Sequence, residues 1–200
     1  MEIIIKKTKA EAEACAAAII ADVVKAKPDS LLGLATGRTA EEVYTNLVRH
    51  QNEEGLDFSG VSTVNLDEYV GLPGDHDQSY RYYMNHHLFS KINVKTENTH
   101  LPSGVADDIV AECAAYEQTI VDKGGIDVQL LGIGTDGHIG FNEPGSSLNS
   151  RTRIKTLTRE TVEVNGAIFG DIDLVPKHAI TMGVGTILDA KKLVLLATGP

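Results

Sequence analysis

Residues 132–144 read Gly-Ile-Gly-Thr-Asp-Gly-His-Ile-Gly-Phe-Asn-Glu-Pro, and this is where the chain concentrates its chemistry. Four glycines within residues 132–140 imply a backbone that turns tightly or is closely approached. Among them stand one imidazole, His138, and two carboxylates, Asp136 and Glu143. Histidine has the side-chain pKa nearest neutrality, and a neighbouring carboxylate orients the ring and raises its basicity. The combination suits general acid–base work. Metal binding is the competing use, disfavoured because no second His or Cys stands nearby at a usual ligand spacing. A serine triad fits poorly, since neither Ser146 nor Ser147 lies on a strand-to-helix elbow. Gly132, Gly134 and Gly137 have dinucleotide-site spacing, but residues 138–144 do not open a helix, so no nucleotide site is assigned. His86 and His87 adjoin on a helix and face different ways; these two and His50, His76, His100 and His178 read as structural or solvated.

Two further segments offer complementary chemistry. Asn65-Leu66-Asp67-Glu68-Tyr69 places two acids after an apolar run. Neighbours on a strand point to opposite faces, so one acid serves a pocket and the other anchors a neighbouring loop, unless the strand has already ended. Ala35-Thr36-Gly37-Arg38-Thr39 separates a strand pattern from a helical one. Glycine allows close backbone approach, hydroxyls donate, and a helix N-terminus carries partial positive charge, which together make an anion cradle. Arg38 adds a charge-assisted contact. The plain alternative is a strand–helix turn with Thr39 as N-cap.

The elements that must position these segments alternate. Glu2–Lys6 is a β-branched strand pattern, followed by an alanine-rich helix from Lys9 to Lys27 that Pro28 stops. Ser30–Ala35 reads as strand, Ala40–Gln51 as helix with Val43, Leu47 and Tyr44 inward, and Val61–Leu66 as strand. Ser79 caps a helix over Tyr80–Phe89, and Asp107 or Asp108 caps another that runs to Asp122. Strand patterns then cover Ile126–Ile133, Arg153–Leu157, His178–Met182 and Lys192–Ala197, with a short helix over Gly185–Ala190. Strands separated by helices imply βαβ units: a Rossmann-like α/β fold with a largely parallel sheet and helices on both faces. No repeat or linker divides residues 1–200, so one domain is expected. In such sheets ligands bind beyond the carboxyl ends of the strands, where all three segments lie.

Composition excludes some partners. Eighteen basic against 28 acidic residues leave a net charge of -10, which argues against a nucleic-acid partner. A pocket of backbone N–H groups can still hold a small anion. No apolar run approaches the ~18 residues of a membrane helix, and the N-terminus lacks a secretory pattern, so the cytoplasm and no membrane are expected. Cys15 and Cys113 lie in helical patterns and read as free thiols.

Leu66-Asp67-Glu68-Tyr69-Val70-Gly71-Leu72, the whole run Gly132–Pro144, and Ser150-Arg151-Thr152-Arg153-Ile154-Lys155 closely resemble the isomerising glucosamine-6-phosphate deaminases, in order and spacing along essentially the whole chain. The related 6-phosphogluconolactonases share the fold and a Gly-x-Gly-x-Asp-Gly-His segment, but not the Phe-Asn-Glu-Pro or Asp-Glu-Tyr-Val-Gly-Leu segments. The resemblance implies conversion of glucosamine 6-phosphate and water into fructose 6-phosphate and ammonia, with no metal or organic cofactor. His138 would protonate the ring oxygen, Asp67 would move a proton between C2 and C1, and Asp136 and Glu143 would hold and tune the histidine. Thr36, Gly37 and Thr39, with Arg38 beside them, would bind the phosphate. Ser146, Arg153 and Lys155 match positions that bind the activator N-acetylglucosamine 6-phosphate between subunits in a hexameric branch, implying a homo-oligomer.

The chain departs from that pattern in three places. Arg38-Thr39-Ala40 stands where the family commonly has Gly-Thr-Pro or Ser-Thr-Pro. Ala167 precedes Ile168-Phe169 in a segment where an arginine often contributes to phosphate binding. The family also usually continues beyond the strand near Ala197, with a lysine that reaches the phosphate, so the domain is expected to lack C-terminal elements. Two other readings therefore stay open: a catalytically weak sugar-phosphate-binding or regulatory protein, and a lactonase-like hydrolase on the same scaffold.

Overall fold

The computed structural model describes residues 1–199, without the side chains at positions 160, 164, 165, 167 and 168. The departure read at Ala167 thus lies outside the described side chains. Thr8 caps α1 (Lys9–Ala26) through a capping box with Glu11, and Ala17, Ile20, Ala21 and Val24 bury one face at helical spacing. The chain continues through β1 (Leu31–Leu34), α2 (Arg38–Glu54), β2 (Ser62–Asn65), β3 (Asp67–Tyr69), α3 (Tyr80–His87), β4 (Thr99–His100), α4 (Ile109–Asp122) and β5 (Val128–Leu131). It ends with β6 (Arg153–Thr156), α5 (Arg159–Phe169), β7 (His178–Thr181), α6 (Val184–Leu188) and β8 (Leu193–Leu195). Ser79 and Asp108 cap α3 and α4 as expected, accepting from Tyr82 N and Ala111 N.

Five strands form a parallel sheet in the order β4-β2-β1-β5-β8. The chain moves outward from β1 to β2 and β4, then returns to β5 on the other side of β1. Right-handed crossovers place α2 and α4 on opposite faces of this sheet. The order therefore reverses between β1 and β5, and the crevice beyond their carboxyl ends is the position such folds use for ligands. Strands buried on both sides read as continuous apolar runs, hence Leu-Leu-Gly-Leu in β1. The main core joins this sheet to α1 and α2 through Ile20, Leu32, Tyr44, Leu47 and Leu130.

A second sheet departs from the parallel expectation. β3, β7 and β6 pair antiparallel in the order β3-β7-β6, over a small core of Tyr69, Phe141, Leu157 and Ala179. Glu117 of α4 fastens this unit, accepting from Thr152 N at 2.8 Å and Thr186 Oγ1 at 2.6 Å. Three other elements also depart from the sequence reading. Glu2–Lys6 is exposed and forms no strand, because a β-branched run becomes a strand only when another strand pairs with it. α5 was not anticipated, although Thr158 caps it by accepting from Thr161 N. β4 spans only Thr99–His100 and is visible solely through its pairing with β2.

Candidate active site

A cavity of about 400 Å³ opens at the β1/β5 reversal. Its walls come from the loop after β1, from the end of β2 running into β3, and from the loop after β5. Thr36, Gly37, Arg38, Thr39, Asp67, Asp136 and His138 all line it, so residues separated by up to about a hundred positions converge there.

At one end is the N-terminus of α2. Gly37, rather than Thr39, is its N-cap, with φ 107° and ψ 168°, and no side chain caps the first turn. That backbone conformation suits glycine and strains any L side chain. The uncapped amides of a helix of 17 residues face an open cavity, which is a ready place for an anion. Arg38 is exposed on the rim.

Asp67 forms one wall. It opens β3, pairs in register with Thr181 of β7, and is only 5% exposed. Among the described residues no donor reaches its carboxylate. Burial first, and then the charge of Glu68, push its pKa up to about 8. Glu68 takes the opposite direction along the strand. Its carboxylate accepts from Tyr69 N, Tyr80 N and Arg81 N, each at 2.9 Å, and so receives the N-terminus of α3. Burial is the larger influence on its own pKa, which is raised despite these amides.

His138 forms the facing wall. Its Nδ1 lies 2.6 Å from Asp136 Oδ1, and its backbone N–H donates to the same oxygen at 3.1 Å. A carboxylate accepts, so the ring proton sits on Nδ1 and leaves Nε2 for a ligand. The backbone amide of His138 is the largest influence holding the Asp136 carboxyl below its usual range. The ring lies flat over Gly134, where an added Cβ would stand 2.2 Å from Cε1. The loop is locked to the second sheet: Phe141 N donates to Thr181 Oγ1 at 3.1 Å and Asn142 Nδ2 to Met182 O at 2.8 Å.

Glu143 stands close to the histidine but does not line the cavity. Asp136, His138 and Glu143 each offer a ligand atom, all within 4.8 Å of one another. Spacing along the chain had disfavoured a metal here, yet folding assembles a three-donor set from one imidazole and two carboxylates. Thr158 and Thr161, which sequence reasoning missed, also line the cavity, and Thr161 Oγ1 donates to Glu143 Oε1 at 3.3 Å. Their signal was a Thr-x-x-Thr pattern opening a helix. Tyr80 and Phe141, stacked with ring centroids 6.2 Å apart, complete an apolar side.

Ser146, Arg153 and Lys155 lie elsewhere. Arg153 and Lys155 share one face of the edge strand β6, opposite the exposed Ile154, while Ser146 follows the loop that carries His138. Among the described residues no hydrogen bond joins Ser146 to either. Cys15 is half-buried and Cys113 buried, both free, and no described helix is long and apolar enough to cross a membrane.

The chain is similar to known proteins along its whole length. A glucosamine-6-phosphate deaminase of Shewanella loihica is 54% identical over 199 residues, covering 100% of this chain and 74% of the relative. One of Clostridium perfringens strain 13 is 51% identical, covering 100% and 82%. A solved structure described as a monomeric glucosamine-6-phosphate deaminase superposes with a TM-score of 0.95 at 49% identity, covering 98% of this chain and 81% of its own. A 6-phosphogluconolactonase from Trypanosoma cruzi, at 22% identity and a TM-score of 0.74, shares the fold, covering 99% and 80%. The family described as glucosamine-6-phosphate isomerases/6-phosphogluconolactonase matches residues 6–200, and with relatives this similar over the whole chain, the protein belongs to it.

Proposed function

We propose that the protein is a glucosamine-6-phosphate deaminase, an aminohydrolase of amino-sugar metabolism that converts glucosamine 6-phosphate and water to fructose 6-phosphate and ammonia. The observation that carries this reading is the pairing, across one cavity, of a buried carboxylate with a carboxylate-oriented imidazole beside an uncapped helix N-terminus. The deaminase relatives at about half identity favour this substrate over a lactone.

In this reading the substrate phosphate lies at the N-terminus of α2, held by Thr36, the amides of residues 37–39 and Arg38. His138 Nε2, protonated, gives its proton to the ring oxygen as the pyranose opens, and the neutral imidazole takes up the proton that the C1 hydroxyl loses on becoming the aldehyde. Asp67, ionised, takes the proton from C2 as the C2 ammonium yields one of its protons to the C1 oxygen, giving an enolamine, and Asp67 then delivers its proton to C1. The resulting iminium at C2 adds water and releases ammonia, leaving the ketose. The C2 ammonium of the incoming substrate places a positive charge beside Asp67, which favours the carboxylate that burial disfavours. Asp136 and Glu143 keep the imidazole oriented and its cation stabilised. General acid–base help of this kind contributes roughly 10²–10⁴-fold for each group.

The same reading places the enzyme in the cytoplasm. It assigns Ser146, Arg153 and Lys155 to an activator, N-acetylglucosamine 6-phosphate, between subunits of a homo-oligomer. The shared face of Arg153 and Lys155 on an edge strand supports that assignment. A coupled assay for ammonia and fructose 6-phosphate, with and without the activator and beside a lactone-hydrolysis assay, tests the reaction and its activation. Release of both products supports the deaminase. Lactone hydrolysis without ammonia, or sugar-phosphate binding without turnover, overturns it.

A further inference from the structure

The loop at the anion end of the cavity is supported by two tyrosines from different helices. Tyr83 of α3 donates through Oη to Gly37 O at 2.8 Å. Tyr44 of α2, fully buried, donates through Oη to Ala35 O. The two rings meet edge to face, with centroids 6.5 Å apart, and His87 packs on Tyr83 at 4.3 Å. Gly37 O also accepts from Ala40 N at 2.9 Å, so both of its lone-pair directions are engaged.

These contacts matter because Gly37 is the N-cap of α2 and holds a backbone conformation with many neighbours in energy for glycine. Rotation of the peptide that follows Gly37 would turn a carbonyl, instead of an amide, toward a bound anion. Tyr83 pins that carbonyl from outside the cavity, and Tyr83 itself is absent from the cavity lining. The helix that carries Tyr83 is in turn seated by Glu68, through the amides of Tyr80 and Arg81. Glu68 is covalently next to Asp67.

We infer that α3 is a strut that sets the distance between the carboxylate of Asp67 and the anion loop, and that Tyr83 is a positioning residue for the substrate's phosphate. This rests on the deaminase reading for the identity of the substrate, but not for the binding of an anion. The phosphate of the substrate is then held at a fixed span from the base, and a ligand lacking phosphate gains nothing from Tyr83.

Tyr83→Phe removes the hydroxyl and keeps the ring packing. The loss of one hydrogen bond that orders the loop is expected to weaken anion binding about three- to tenfold. In the wild-type chain and the variant, KM and kcat for glucosamine 6-phosphate are measured together with the inhibition constants of inorganic phosphate and of glucosamine without phosphate. Direct titration of inorganic phosphate by calorimetry gives a readout free of turnover. The expected result is a parallel rise in KM and in both phosphate constants, with kcat within about twofold and the constant for glucosamine unchanged. Unchanged phosphate affinity overturns the inference, and so does a fall confined to kcat. If the wild-type chain releases no ammonia, the deaminase reading fails while the calorimetric comparison still decides the role of Tyr83. Where Tyr83→Phe melts well below wild type, His87→Ala, which leaves the hydroxyl in place, provides the control: equal loss of phosphate affinity in both variants would mean general loosening of α3 and would overturn the specific role.

Discussion

Asp67 and Glu68 are adjacent in sequence and opposite in purpose: β3 turns Asp67 into the cavity and Glu68 onto the N-terminus of α3. The alternation of a strand separates them, although β3 has only three residues. The two charges still act on each other, since Glu68 is the second cause, after burial, of the raised pKa of Asp67. Several measurable consequences come from this pair and from the loop that faces it.

Replacing Asp67 by Asn removes the proposed proton acceptor at little change in volume. Turnover is expected to fall by roughly 10²–10⁴-fold, while the affinity for inorganic phosphate at the far end of the cavity stays within about twofold of wild type. Steady-state kinetics and phosphate titration check this together. Wild-type turnover in the variant would remove Asp67 from the base role.

The acid limb of the pH profile should separate the free enzyme from the complex. A base with a pKa near 8 is mostly protonated at neutral pH, so kcat/KM, which reports the free enzyme, is expected to rise with pH up to about 8. The limb in kcat, which reports the complex, is expected at lower pH, because the substrate's ammonium favours the carboxylate. Coincident limbs in the two profiles would contradict that electrostatic coupling.

The same ionisation has a stability counterpart. The folded-state pKa of Asp67 is raised above its ordinary value, so the unfolded chain holds fewer protons here, and this residue's contribution falls as pH rises from about 4 to about 8. Asp67→Asn should therefore match wild type in urea at pH 4 and exceed it at pH 9, by at most ~6 kcal/mol.

Glu68→Gln keeps the shape but replaces a charged acceptor of three backbone amides. A loss of about 1–3 kcal/mol in unfolding free energy is expected. Removing its charge also lowers the pKa of Asp67, so the acid limb of kcat/KM should move to lower pH, in the direction opposite to a general loss of function. A profile that stays in place would show that the two carboxylates do not interact.

Gly134→Ala tests the seat of the imidazole. An added Cβ would overlap the ring of His138, so the ring must leave its hydrogen bond with Asp136. A misplaced catalytic group typically costs on the order of 10²-fold. The expected loss is in kcat, with phosphate affinity intact, and a proton NMR signal from the Nδ1–H bonded to Asp136 should disappear in the variant.

Much of this is legible in the amino-acid sequence. Helical spacing located α1 and α2, with Pro28 as the stop of α1, and caps at Ser79 and Asp108 located α3 and α4, because those signals are local and act within one turn. The glycine-rich run containing His138 marked its own importance, since glycines between an imidazole and carboxylates restrict what the segment can be. Sequence order also placed the three active segments after strands, which put them at one end of a parallel sheet. What stayed hidden depends on partners distant in the chain. Whether Ile3–Ile5 pairs, and whether β6 and β7 join the parallel sheet or form their own, are settled by strand pairing between residues as far apart as Asp67 and Thr181, more than a hundred positions away. The types and order of the chemical groups are written in the residues themselves. The separation of Asp67 from His138, the burial that raises the base, and the hold of Tyr83 on Gly37 exist only once the chain has packed, because distance and desolvation are properties of neighbours in space.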